Sequence, residues 1–185
     1  MDELRTSCID RNVGIAYYYC DYRVQNASPL TIALGRLLRL LLERIMVIPP
    51  LLRDIFEKTR RQGRAPIPSE LKDILVSVVT SFERCFILVD AMDEFSISDV
   101  GSTAEFIRIL DELAAYGAKI FVTSRTRPSP PFTIDHSIAT ICADEADIIS
   151  YVAYTLNTDD SLVDILDKSL ERDITQTVVE QAKGM

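Results

Sequence analysis

Ten residues, Cys85 to Glu94, constrain this chain more than any others: CFILVDAMDE. A near-continuous apolar run of strand-forming residues reads as a strand buried on both faces, the habit of a parallel sheet covered by helices. The run ends abruptly at Asp90, and Asp93 and Glu94 follow at once. In open α/β sheets, ligands bind beyond the carboxyl ends of the strands. The sequence therefore delivers three carboxylates to the edge where a site would form.

The rest of the chain alternates strand and helix signals. Gly14 to Cys20 reads as a strand rich in aromatics. Ser28-Pro29 predicts a helix start, with Ser as N-cap and Pro at the first helical position. Leu30, Leu34, Leu37, Leu38, Leu41 and Ile45 follow at helical spacing until Pro49-Pro50 stops them. Leu51, Leu52, Ile55 and Phe56 mark a short second helix. Arg60 to Pro68 is a basic loop, open to a phosphate-binding role or to plain solvation. Ser69 then caps an amphipathic helix with Leu71, Ile74, Leu75, Val78, Val79 and Phe82 on one face. Ser102 and Glu105 predict a capping box that opens a helix with Phe106, Leu110, Leu113 and Ala114 inward and Gly117 at its end. Lys119 to Thr123 reads as a further strand, and Ser137 to Cys142 as a last one. From Asp144 the pattern is helical only: one helix marked by Ile148, Ile149, Val152 and Leu156, one by Leu162, Ile165, Leu166 and Leu170, and a last by Val178, Val179 and Ala182. This order predicts an α/β fold with a mainly parallel sheet. It divides the chain into an α/β body over residues 1–143 and the start of a helical subdomain over 144–185.

Composition narrows the class. Apolar residues make up 48% of the 185, enough for a real core. Acids outnumber bases 28 to 20, which argues against a nucleic-acid binder, since that needs a basic face. Cys8, Cys20, Cys85 and Cys142 form no C-x-x-C pair, and His136 is the only histidine, so a zinc site is not expected. Met1 to Arg5 is too polar for a signal peptide, and charges interrupt the apolar helix around Leu37 to Leu42, so no membrane span is expected. These features fit a reducing, cytoplasmic setting.

Among residues able to do chemistry, Asp90 comes first. Mg²⁺ takes oxygen ligands and keeps several waters, so one carboxylate suffices to hold it. Asp93 or Glu94 could orient or deprotonate a water beside it. Arg125, at the end of the Ile120 to Thr123 run, could grip a phosphate with two parallel hydrogen bonds. Thr123 and Ser124 could add hydroxyl contacts. The structural alternative is that the acids cap and solvate a loop while Arg125 balances their charge.

Four segments, GIAYYYCDYR, CFILVDAMDE, KIFVTSRTRP and VVEQAKGM, carry a specific resemblance. They resemble, in order and separation, the NACHT-type NTPase module of the STAND signalling ATPases, in the nephrocystin-like form common in fungal repeat proteins. The resemblance implies a P-loop NTPase-like parallel sheet flanked by helices. It implies that Asp90 is the Walker B aspartate and Mg²⁺ ligand, that Asp93 and Glu94 are the catalytic acids, and that Arg125 senses the γ-phosphate beside Thr123 and Ser124. It further implies Mg-ATP or Mg-GTP as cofactor, a switch driven by hydrolysis, and protein partners recruited through flanking effector and repeat domains. Asp147 to Val152 resembles the start of the family's helical subdomain.

One departure limits these expectations. No G-x-x-x-x-G-K-[ST] occurs in the 185 residues. In the family that loop supplies the backbone N–H groups around the phosphates, a Lys and one Mg²⁺ ligand. The expectation is an incomplete sheet that lacks the P-loop strand, a chain resembling a piece cut from a larger protein, and nucleotide binding that is weak or absent. That strand sits inside the family's sheet, so its neighbours are expected to lose a pairing partner and to expose edges that invite self-association. The alternative readings are a non-catalytic protein-interaction module and a truncated gene product.

Overall fold

A computed structural model describes residues 12–21, 28–45, 47–95, 100–158 and 166–182. The fold is α/β. Three parallel strands, β1 (Val13–Tyr19), β2 (Arg84–Asp90) and β3 (Ala118–Val122), form one sheet in the order β1-β2-β3. Helices α1 (Pro29–Leu42), α2 (Pro50–Arg61) and α3 (Pro68–Val79) connect β1 to β2, and α4 (Val100–Ala115) connects β2 to β3. Helices α5 (Glu145–Thr158) and α6 (Lys168–Ala182) follow. The described residues fall into two compact units, within 1–136 and within 137–185. None of the described helices is long and apolar enough to cross a membrane.

The central strand is paired on both sides. Val13 to Tyr19 align with Arg84 to Asp90, and Cys85 to Val89 align with Ala118 to Val122. Backbone N–H and C=O groups in a sheet need partners, and direct pairing of β2 with β3 supplies them. Among the described residues, the outer sides of β1 and β3 are the unpaired edges.

Sequential strand order has a consequence for the helices. Two crossovers of the same hand, both advancing in one direction, must lie on one face of the sheet. The core reflects this. Ala16, Cys85, Ile87, Val89 and Ala118 face one cluster with Leu34, Leu37 and Leu41 of α1, Ile74, Leu75 and Val78 of α3, and Phe106, Leu110 and Leu113 of α4. The alternate residues of β2, Phe86 and Leu88, are only half-buried, and Tyr19 and Phe121 of the same face are exposed. The expectation that β2 is buried on both faces is therefore corrected: one face is packed and the other is partly open. Gly14 sits where β1 meets the turn before β2. A Cβ there would come within 2.7 Å of the Phe82 ring.

Several local readings need adjustment. Ser28 occupies the N-cap of α1 without a side-chain cap bond. Pro50 opens α2 rather than only stopping α1. Helix α3 begins at Pro68, so Ser69 lies inside it. Glu70 performs the capping instead, accepting the Ile67 N–H at 3.2 Å. Helix α4 is already formed at Val100, so Ser102 and Glu105 lie inside it as well. Helix α4 ends at Ala115, and Gly117 turns the chain at φ +98°. Ser137 to Cys142 forms no strand. Alternation shows only that a segment would suit a pleated surface, and no described strand pairs with this one. Leu162 and Ile165 lie outside the described residues, while Leu170 falls in α6 with Val178 and Val179.

The basic loop is a structural joint. Arg64 grips Glu70 with two bonds of 2.7 Å, and Lys58 reaches the same carboxylate at 3.2 Å. These bonds tie the end of α2 to the start of α3.

Candidate functional site

The turn after β2 gathers every side chain that the sequence singled out. Asp90 ends the strand, Ala91 follows, and Met92–Glu94 make one 3₁₀ turn. Ala91 adopts the left-handed conformation, φ 54° and ψ 51°, which an L-residue with a Cβ disfavours by about 1–2 kcal/mol. Neighbouring bonds hold it there. The Ala91 N–H donates to Thr123 Oγ1 at 2.9 Å, and the Met92 N–H donates to the Thr123 carbonyl at 2.9 Å. Met92 and Phe95 are buried, and Phe95 stacks on Phe106 with ring centroids 4.5 Å apart, with Tyr18 edge-on to both. The turn is thus fastened to the core behind it and to the end of β3 beside it.

This fastening aims the polar groups. Thr123 donates its hydroxyl to Asp90 Oδ1 at 2.6 Å. Asp90 is exposed, and its second oxygen accepts no hydrogen bond from the described residues. Ser124 Oγ donates to Asp93 Oδ1 at 3.3 Å, and the Arg125 N–H donates to the same oxygen at 3.2 Å. Arg125 Nε donates to Asp93 Oδ2 at 2.6 Å, and its terminal nitrogen donates to Glu94 Oε1 at 2.8 Å. One guanidinium therefore bridges two carboxylates. Side-chain exposure is 74% for Arg125 but only 14% for Asp93 and 20% for Glu94.

Electrostatics follow from these contacts. Partial burial pushes the Asp93 carboxyl up, but the Arg125 side chain and backbone N–H outweigh it and hold it below its ordinary value. Cys20, whose N–H donates to the Asp90 carbonyl at 3.0 Å, reports the surrounding field. Burial first, and then the charges of Asp90, Asp93 and Glu94, push its thiol up to about 12. It stays protonated and inert at neutral pH. Among the described residues three carboxylates meet one guanidinium, so this set is net negative.

Asp90 and Thr123 form one hydrogen-bonded pair, and Asp93, Glu94, Ser124 and Arg125 form a second set beside it at the carboxyl ends of β2 and β3. Sequence reasoning missed Ala91, whose strained turn separates Asp90 from the other acids, and the aromatic anchor of Tyr18, Phe95 and Phe106. The sequence marks Tyr18 only as one aromatic of a strand-forming run, and nothing in it flags an alanine for the left-handed region. Among the described residues no three His, Cys, Asp or Glu side chains are grouped to hold a metal ion by themselves. The donor chemistry does fit a Mg²⁺ that takes one carboxylate oxygen from Asp90 and the rest from water and phosphate.

No curated protein and no solved structure matches the chain. A family model described as Nephrocystin 3, N-terminal, matches residues 1–125. That span runs through all three strands and ends on Arg125. It covers two-thirds of the chain and agrees with the nephrocystin-like resemblance: the chain belongs to the nephrocystin 3 N-terminal family.

Proposed function

We propose that this chain carries the Walker B half of a Mg-nucleotide-dependent molecular switch of NACHT type, and that its own affinity for nucleotide is very weak. The observation that carries the reading is the convergence of Asp90 and Arg125 on one sheet edge, with Arg125 already engaged by Asp93 and Glu94. In this reading Asp90, oriented by Thr123, is the metal ligand. Asp93 and Glu94 position or deprotonate water, and Arg125, helped by Ser124, reads a terminal phosphate. Bound Mg²⁺ would neutralise phosphate charge at this edge.

Two features make the affinity low. Arg125 can present its Nε edge to a phosphate only by giving up both carboxylate bonds. The net negative charge of the site repels a polyphosphate, and the 185 residues contain no Gly-rich cradle with a Lys to offset this. Residues 144–185 are read as the beginning of the family's helical subdomain, and the free Cys20, Cys85 and Cys142 suit a cytoplasmic setting.

Equilibrium titration with fluorescent ATP and GTP analogues in excess Mg²⁺ tests this. The expected result is no saturation below the millimolar range and no change in Asp90→Ala. A micromolar affinity that Asp90→Ala abolishes would overturn it.

A further inference from the structure

A second surface lies away from the acid–arginine edge. Helices α1, α2 and α3 enclose an open groove of about 500 Å³. Its walls are apolar: Leu38 and Leu42 from α1, Leu52 and Phe56 from α2, Leu71 and Ile74 from α3. Phe56 is 63% exposed, and Leu51 and Ile67 nearby in sequence are also exposed. Water-facing apolar surface of this kind marks an interaction site more often than chance surface does.

Gly35 sharpens the case. It lines the groove from the middle of α1, where glycine is a poor helix former. A Cβ added there would meet nothing within 4 Å. The internal packing of the described residues therefore does not demand a glycine at this place. What a glycine does supply is room for something outside the fold to approach the α1 backbone.

The charge around the groove selects the visitor. Residues 29–79, which span all three helices, hold nine Lys and Arg against five Asp and Glu, in a chain that totals 20 against 28. Arg53 and Arg60 fall on the Phe56 stripe of α2 at helical spacing. Both are exposed and form no ion pair among the described residues. On the facing helix Arg39 and Glu43 line the groove but pair with each other at 3.2 Å, so they cancel. The net rim charge is positive.

The geometry points to a docking site for an amphipathic helix of a partner protein, with apolar residues at i, i+3 or i+4 and i+7 and flanking Asp or Glu. The apolar face fills the groove over Gly35, and the acids meet Arg53 and Arg60, a helix-in-groove mode. This inference is independent of the nucleotide reading, because none of its residues belongs to the acid–arginine set.

Selection of a displayed library of 14-residue helices on the full chain tests it, with apolar and charged positions randomised. Enriched peptides are expected to combine the i, i+3/i+4, i+7 apolar pattern with Asp and Glu, and to bind Gly35→Leu at least tenfold more weakly. Gly35→Leu is expected to keep or raise the thermal midpoint, which separates a filled groove from a broken fold. The double variant Arg53→Glu/Arg60→Glu is expected to lose the preference for acids. No enrichment, enrichment of basic or uncharged peptides, or undiminished binding to Gly35→Leu would overturn the proposal. So would a concentration-dependent dimer that Gly35→Leu abolishes, since a second copy would then be the occupant.

Discussion

Arg125 Nε lies 2.6 Å from Asp93 Oδ2, and this contact joins the ends of the two strands that frame the site. The guanidinium is exposed while the carboxylate is mostly covered. Its second bond, to Glu94, lets one guanidinium serve two acids on the same turn.

Removing that counter-charge should loosen the turn. Arg125→Ala leaves Asp93 and Glu94 facing each other, and stability should fall by about 1 kcal/mol, discounted for the exposure of Arg125. Arg125→Lys should recover only part of this, because an ammonium lacks the planar fork that spans two carboxylates. Urea unfolding at neutral pH measures both.

Acid should undo the same contacts. Arg125 holds Asp93 below its ordinary value, and the fork of Arg64, with the Ile67 N–H and Lys58, holds Glu70 down to about 2. For a carboxyl whose folded value is depressed, the stabilisation is complete above the unfolded value and is lost as pH falls through the folded one. For Glu70 the window runs from its ordinary 4.5 down to about 2. Glu70→Gln should therefore be less stable than the parent at pH 7 and should converge on it as the pH drops through that window, and Asp93→Asn should do the same as the pH falls below the ordinary 3.8 of its carboxyl. A constant difference across pH would assign their effect to packing.

Ala91 offers a test of local strain. Ala91→Gly removes the clash of the left-handed conformation but gives the unfolded chain more freedom. The balance should be a gain of about 0.5 kcal/mol. Ala91→Val should lose at least about 1 kcal/mol, since β-branched residues suffer most at positive φ. Denaturation midpoints of the two variants should lie on opposite sides of the parent.

Gly14→Ala should cost about 1–3 kcal/mol through overpacking, because the new methyl meets the Phe82 ring. Phe82→Leu in the Gly14→Ala background should recover part of that loss. Without such recovery the clash would not be the cause.

The sequence made β1, β2, β3 and the acids at the end of β2 legible for one reason. Each strand is a short apolar run, and the run of β2 stops at a charge that cannot enter the core. Periodicity also found the buried faces of α1, α3 and α4. Helix starts were less legible, because Ser69 and Ser102 carry the right side chains but the chain had already turned helical at Pro68 and Val100. Pairing was least legible. Nothing local in Phe86 to Val89 or Ile120 to Val122 says that these strands lie side by side, since pairing depends on which backbone groups lack another partner. The same holds for Arg64, whose basic loop is open to a phosphate by sequence alone while Glu70, six residues on, occupies its guanidinium.

The most direct test of the central claim is a thermal-unfolding scan of the chain and its Asp90→Ala variant, with and without millimolar Mg-ATP or Mg-GTP. A nucleotide at 100-fold excess over its Kd would add roughly 2.7 kcal/mol and raise the midpoint by roughly 5–10 °C. The account predicts one cooperative transition that neither nucleotide moves in either protein. A rise of several degrees in the parent that vanishes in Asp90→Ala would contradict it, by showing a working nucleotide site within these 185 residues.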